Sequence, residues 1–369
     1  MIRKYEAKTI ATLLVITISG CSLCYEAYSE PHASSRRDRS KFEPAKGKTI
    51  LFIGQTKGEI EDYAIHAGLG APPGYMVYTG LEKLEGLSEP YVGKGCAEAG
   101  VQDLTGLSQE FPGSAAQIGL YVVGELPAID RGELDGQIRK LAGRLRELRR
   151  PVFLRVGYEF DGPWNAYHPE EYRHAFRRIV SIFRGEKIGG ERVQQVDNVA
   201  FVWHSGAWKT YGNFPFSAWY PGDRYVDWVG ISWFGLKSED ANKTAEDARA
   251  GVLSFARKHH KPLMIAESTP RRYFSPDHPD SWDRWYAPIF HWIEQNRIEG
   301  FSYINQDWTA QQMWGNPDCK SEMDWGESRI QVERSTVLPL WRQQIATSRF
   351  LKPGEELFRS IKFVSSDVK

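Results

Sequence analysis

From Lys48 onward, short apolar runs alternate with stretches whose apolar residues recur every three or four positions. The runs predict strands over Thr49–Ile53, Tyr75–Tyr78, Gln117–Val123, Val152–Val156, Val199–His204, Trp228–Trp233, Pro262–Ala266 and Phe301–Asn305. Several are apolar throughout, as in parallel strands covered on both faces. Between them, Leu134, Ile138, Leu141, Leu145 and Leu148 make one helical stripe. Pro169 suits a first helical position, and Tyr172, Phe176, Ile179 and Phe183 follow on one face. Ala245–His259 and Trp282–Asn296 repeat the pattern. Residues 79–116 are Gly-rich without a clear helix and read as a long connection between the second and third strands. Strand–helix alternation implies a parallel sheet. Eight strands over roughly 300 residues favour an α/β fold of the (β/α)8 TIM barrel type. No Gly-x-Gly-x-x-Gly follows the first strand, which speaks against a dinucleotide site.

Ahead of this region the pattern changes. Residues 1–20 have a basic start, a short apolar run and small residues before Cys21. The run is too short to span a bilayer and reads as a secretory signal. Ile18-Ser19-Gly20-Cys21 resembles a bacterial lipobox, which makes Cys21 the expected lipidation site. Residues 21–47 are polar and charged, and are expected to be a flexible tether. The barrel domain is then 48–369. The expected location is that of an exported, membrane-anchored lipoprotein, periplasmic or at the cell surface. An exported setting permits a disulfide, with Cys96–Cys319 the candidate pair. No Cys-x-x-Cys occurs, so neither zinc nor a thioredoxin-like site is implied.

Lys+Arg and Asp+Glu number 47 each among 369 residues, so no global charge pulls the chain toward nucleic acid. The 13 Trp are more unusual. Flat aromatics stack on sugars as well as filling cores. No metal or cofactor is expected, and a monomer is.

Barrel chemistry sits where strands end. The fourth strand runs into Arg155-Val-Gly-Tyr158-Glu159-Phe-Asp161-Gly-Pro-Trp164-Asn165, and the seventh into Glu267. Two carboxyls at one barrel mouth are the working parts of most glycosidases: a protonated acid for the leaving oxygen, and an ionised partner. One such Glu alone is more often part of a structural salt bridge; two, on strands four and seven, point to chemistry.

The chain here resembles glycoside hydrolase clan GH-A, which carries its acid on strand four and its nucleophile on strand seven. Within the clan it is most similar to family 26, the group containing β-mannanases. Arg155, Glu159, Gly162 and Trp164 sit at that family's spacings. Trp219–Gly230 resembles its segment leading into strand six, and Lys261–Glu267 its nucleophile segment. The likeness covers residues 150–270. It departs at Tyr158, where the family has His, and at Trp233-Phe234, where strand six ends in a Tyr that touches the nucleophile. The resemblance implies a retaining hydrolase of a β-linked polysaccharide (mannan, glucan, xylan or an exopolysaccharide), with Glu159 as acid/base and Glu267 as nucleophile. A non-catalytic carbohydrate-binding lipoprotein and a transglycosylase are the alternatives.

By period two, Arg155 shares a side of its strand with Glu159 and can hold a carboxylate ionised, Glu267 being the expected one. Trp164 is expected to stack on a sugar, beside Tyr158. Asp161 and Asn165 are expected to bond hydroxyls. His204 is expected to bond a hydroxyl or a carboxylate. Trp208, Trp233, Tyr303 and Trp308, at or after later strand ends, are candidate sugar platforms.

Overall fold

The computed structural model describes residues 39–92, 100–207, 214–234, 239–310 and 325–364. Eight parallel strands close into a barrel: β1 (Ile50–Gly54), β2 (Gly74–Gly80), β3 (Ala115–Tyr121), β4 (Val152–Val156), β5 (Val199–Ser205), β6 (Trp228–Phe234), β7 (Leu263–Thr269) and β8 (Gly300–Ile304). Closure is made by β1 against β8, with Ile50 opposite Gly300 and Gly54 opposite Ile304. Helices Asp135–Glu147, Pro169–Phe183 and Glu239–Lys258 pack outside. The expected helix over Trp282–Asn296 divides into a π-helical turn, Trp282–Tyr286, and an α-helix, Ala287–Asn296. The long β2–β3 connection is not structureless. It holds a two-stranded antiparallel ribbon, Tyr91–Val92 with Val101–Gln102, and a helix, Leu104–Glu110. The sequence pattern gave no sign of these, because pieces this short carry no period.

Alternation along each strand decides what fills the barrel. Leu51 and Ile53, Tyr75 and Val77, Leu154 and Val156, and Phe301 and Tyr303 join the core between strands and helices. Their neighbours Phe52, Phe153, Trp228 and Met264 form a second cluster inside the barrel. Phe153 is central there, with ring centroids 5.2 Å from both Phe52 and Trp228, edge to face. These rings close the lower barrel, so polar chemistry is confined to the layer above them.

The floor is sealed by chain from outside the expected domain boundary. Phe42 packs edge-on to Phe153 at 5.8 Å and to Phe363 at 5.9 Å. Trp228 Nε1 donates to Lys41 O at 2.7 Å, and Arg39 donates to Ser360 O at 3.1 Å. Among the described residues, 39–47, which the sequence assigned to the tether, pack on the barrel ahead of Lys48. Residues 39–47 belong to the barrel floor because one ring, Phe42, covers apolar surface that the surrounding polar residues mask in the sequence.

Candidate active site

β7 breaks its alternation at the residue that matters most. Ile231 pairs with Ile265, but Ser232 pairs with Glu267, so Ala266 is an extra residue in β7. Met264 and Ala266 both lie inside the barrel. Strict alternation would send Glu267 outward; the bulge turns it to the mouth. β4 uses a different device. After Val156 the chain takes left-handed conformations at Gly157 (φ 54°) and Glu159 (φ 52°). The second is costly for a residue with a Cβ, by about 1–2 kcal/mol. The loop is held against β5 by Phe160 N donating to His204 O at 3.1 Å. Asn165 Nδ2 bonds Glu159 O at 2.7 Å and Tyr158 O at 3.0 Å.

One hydrogen-bond chain joins the two carboxyls. Arg155 is fully buried and donates to Glu267 Oε1. The same Nη1 lies 3.4 Å from His204 Nδ1. His204 Nε2 is 3.0 Å from Ser232 Oγ, which donates to Glu159 Oε1 at 2.6 Å. Burial, and then the Arg155 charge, hold the imidazole well below its ordinary range, so it is neutral. Arg155 can only donate, so Nδ1 accepts and Nε2 carries the hydrogen. Donation then runs one way, from Arg155 through His204 and Ser232 to Glu159.

The two acids sit in opposite surroundings. Glu159 is pushed up to about 8, by burial first and then by the negative charge of Glu267, with Ser232 pulling the other way. Glu267 Oε1 accepts from Arg155 and also from Tyr78 Oη, the latter at 2.6 Å. Both donors converge on that one oxygen, which leaves Oε2 of Glu267 clear of them. A carboxyl pushed toward its neutral form beside one paired with a buried guanidinium is a division of labour set by environment. Beneath them, Gln117 Nε2 donates to Ala266 O at 2.7 Å and Ser302 Oγ to Gln117 Oε1 at 2.6 Å. That pair braces the bulged residue from inside the barrel.

Tyr78, Ser232 and Gln117 had no place among the sequence candidates. Alternation would have found them: Tyr78 follows Met76, and Ser232 follows Trp228 and Gly230, on inward positions of β2 and β6.

The remaining candidates separate. Trp164 is 44% exposed at the mouth and rests on Gly162, where a Cβ would come within 2.4 Å of the indole. Trp308 lies over Met76 and Ile304, with Nε1 donating to Thr269 Oγ1 at 3.2 Å and its ring 5.0 Å from Trp325. Tyr158 stands edge-on to Tyr78, centroids 5.3 Å apart. Asp161 is fully buried, and both its oxygens are taken: Ser205 Oγ donates to one and Gly206 N to the other at 2.7 Å. It pins the β4 loop to β5 and presents no oxygen to a sugar. Asn165 likewise spends its amide on backbone carbonyls. Tyr303 is fully buried on the outward side of β8, bonded to Tyr286 Oη at 2.9 Å and Ser328 O. Trp233 also faces outward, under the Arg249 guanidinium at 3.9 Å and edge-on to Trp292 at 5.3 Å. Neither Tyr303 nor Trp233 is a platform, because both sit at odd steps from inward neighbours; Phe234 takes the mouth-side position and packs on Trp325 at 5.2 Å. Trp208, Cys21, Cys96 and Cys319 lie outside the described residues.

Comparison with known proteins places this geometry. The sequence profile described as Glycosyl hydrolase family 26 matches residues 110–256. A β-1,3-xylanase of Alcaligenes sp is 31% identical over 344 residues, covering 88% of this chain and 69% of that protein. The chain belongs to glycosyl hydrolase family 26. A second β-1,3-xylanase, from Vibrio sp, is also 31% identical, over 89% of this chain and 71% of its own length. Among solved structures, an endo-β-1,4-mannanase from Cellulomonas fimi superposes with a TM-score of 0.56 at 15% identity, covering 85% of this chain and 77% of that one. A family 26 β-mannanase of Bacteroides ovatus gives 0.54 at 16%, covering 85% and 93%. At such identities the two structures speak for the fold alone. As a family 26 protein, the chain is a glycoside hydrolase of the β-polysaccharide-degrading kind.

Proposed function

We propose that this family 26 enzyme is a retaining endo-hydrolase of β-1,3-xylan. The substrate is suggested by the β-1,3-xylanases of Alcaligenes and Vibrio, which match over most of both chains. The mechanism rests on one observation: Glu159 is buried and pushed up to about 8, while Glu267 faces two donors on one oxygen. Glu159 gives its proton to the leaving oxygen as Glu267 Oε2 bonds the anomeric carbon. Water then attacks that carbon, Glu159 takes the water's proton, and Glu267 departs. Because Ser232 donates to Oε1 of Glu159, the transferable proton sits on Oε2. Trp164, at the exposed edge of the mouth, is the sugar platform; Trp308 is buried against Met76, Ile304 and Trp325 and is not the platform the sequence suggested. The leader of the chain supports export and a lipid anchor at Cys21.

The test is product release from β-1,3-xylan, β-1,4-xylan and β-1,4-mannan. Oligosaccharides from β-1,3-xylan alone, first formed as the β-anomer by proton NMR, are expected. Glu267→Ala should lower release by at least about 10⁴-fold, with azide restoring turnover of an activated aryl glycoside as the α-azide. Release from mannan alone would overturn the substrate, and α-anomer products would overturn the mechanism.

A further inference from the structure

The family resemblance places a tyrosine at the end of β6, but this chain has Phe234 there and turns Trp233 outward. The phenol on Glu267 arrives instead from β2. Tyr78 is hydrogen-bonded to Glu267 across 189 positions of sequence, and between their strands lie β1 and β8. The place is built for that ring. On β3, Gly119 is paired with Tyr78 on one side and Arg155 on the other. A Cβ at Gly119 would lie 2.5 Å from the Tyr78 ring and 2.9 Å from Arg155 Nη2. The Arg155 guanidinium lies 5.0 Å from the Tyr78 centroid and 5.2 Å from that of Tyr158. Tyr158, the other departure from the family pattern, thus buttresses the relocated phenol.

We propose that Tyr78 is the positioning residue of the nucleophile, and that its phenol acts chiefly in the second half of the reaction; this rests on the retaining reading above. In the first step an electron pair of Glu267 Oε2 forms a bond to the anomeric carbon. The bond from that carbon to the leaving oxygen breaks, and that oxygen takes the proton of Glu159. The carboxylate loses its charge, so a donor on Oε1 does not help. In the second step water bonds the anomeric carbon and its proton goes to Glu159. The carbon–Oε2 bond then breaks, and its electron pair returns to the carboxylate. The returning charge is shared with Oε1, where Tyr78 and Arg155 donate. Burial holds the Tyr78 phenol well above its ordinary range, so it stays a donor throughout.

Tyr78→Phe removes the hydroxyl and keeps the ring. It should be compared with wild type on dinitrophenyl glycosides of xylo- and manno-oligosaccharides, using whichever wild type cleaves. The expected result is a fall in kcat of about 10- to 100-fold. KM should fall with it, kcat/KM should change far less, and a burst of one dinitrophenolate per enzyme should appear. An unchanged kcat, or a loss in kcat/KM at constant KM without a burst, would overturn the proposal. If wild type cleaves none of them, the substrate assignment fails separately, and a low-field phenolic proton resonance decides the Tyr78 bond. It should be present in wild type and absent in both Tyr78→Phe and Glu267→Ala; its absence from wild type overturns the proposal.

Discussion

Ser232 is the last donor before Glu159, so Ser232→Ala isolates what the hydrogen-bond chain does for the acid. The bond is 2.6 Å, a charge-assisted length when Glu159 is ionised. His204 Nε2–H occupies the acceptor side of Oγ, which fixes the hydroxyl as a donor. A donor stabilises the ionised carboxylate, so it lowers the pKa, and removing it must raise the pKa. Bonds to charged groups contribute about 1.5–3 kcal/mol net. One pH unit corresponds to about 1.4 kcal/mol. Part of the bond persists with the protonated acid, which leaves a shift of about one unit. Glu159 is pushed to about 8 in the wild type, and the variant's basic limb should lie near about 9. The assay is kcat/KM against pH, because its limbs report the free enzyme's acid and base. Ser232→Thr keeps the hydroxyl and should leave the limb in place. An active Ser232→Ala enzyme whose basic limb stays put, or moves down, would refute the one-way chain from Arg155 to Glu159.

Two other predictions follow from the same layer. Gly119→Ala inserts a methyl against the Tyr78 ring and Arg155 Nη2, so activity should fall by at least about tenfold while stability drops by about 1–3 kcal/mol; urea unfolding and initial rates on one substrate check both, and wild-type activity would show that the crevice has slack. Glu159→Gln should stabilise the fold more at pH 8 than at pH 5. The folded Glu159 holds its proton up to about 8 against an ordinary 4.5. Its contribution is therefore full below 4.5 and is lost as pH rises through that window. The variant has no such loss, so its Tm advantage should grow with pH by at least about 2 °C; an equal advantage at both pH values would contradict the raised pKa.

The barrel was legible because each strand is a run too apolar for a half-solvated sheet, and because the intervening stripes keep a helical period. The position of Glu267 was legible only as the end of a run. Its direction was not, since the Ala266 bulge reverses the alternation and no residue type marks it. Tyr303 and Trp233 were misread for a related reason. A large aromatic at a strand end suggests a platform, but the outward side of each strand is also a place for large rings, under the helices. Counting steps from Phe301, or from Trp228, would have placed both correctly. Asp161 was misread because a carboxylate beside a catalytic loop suits either a sugar hydroxyl or the backbone of the next strand. Only the three-dimensional closeness of Ser205 and Gly206 decides between them.

The same counting explains why the site tolerates losing a tyrosine that the resemblance expects on β6. Inward positions near the mouth belong to a ring of strands, and Glu267 can be reached from more than one of them. The phenol on β2 leans over β3, where a Cβ would lie 2.5 Å from its ring. Gly119 leaves that space open, and Tyr78, Gly119 and Arg155 hold paired positions on three adjacent strands. Removing Tyr78 therefore disturbs more than one bond, because its ring is packed between Tyr158, the Arg155 guanidinium and the bare Cα of Gly119.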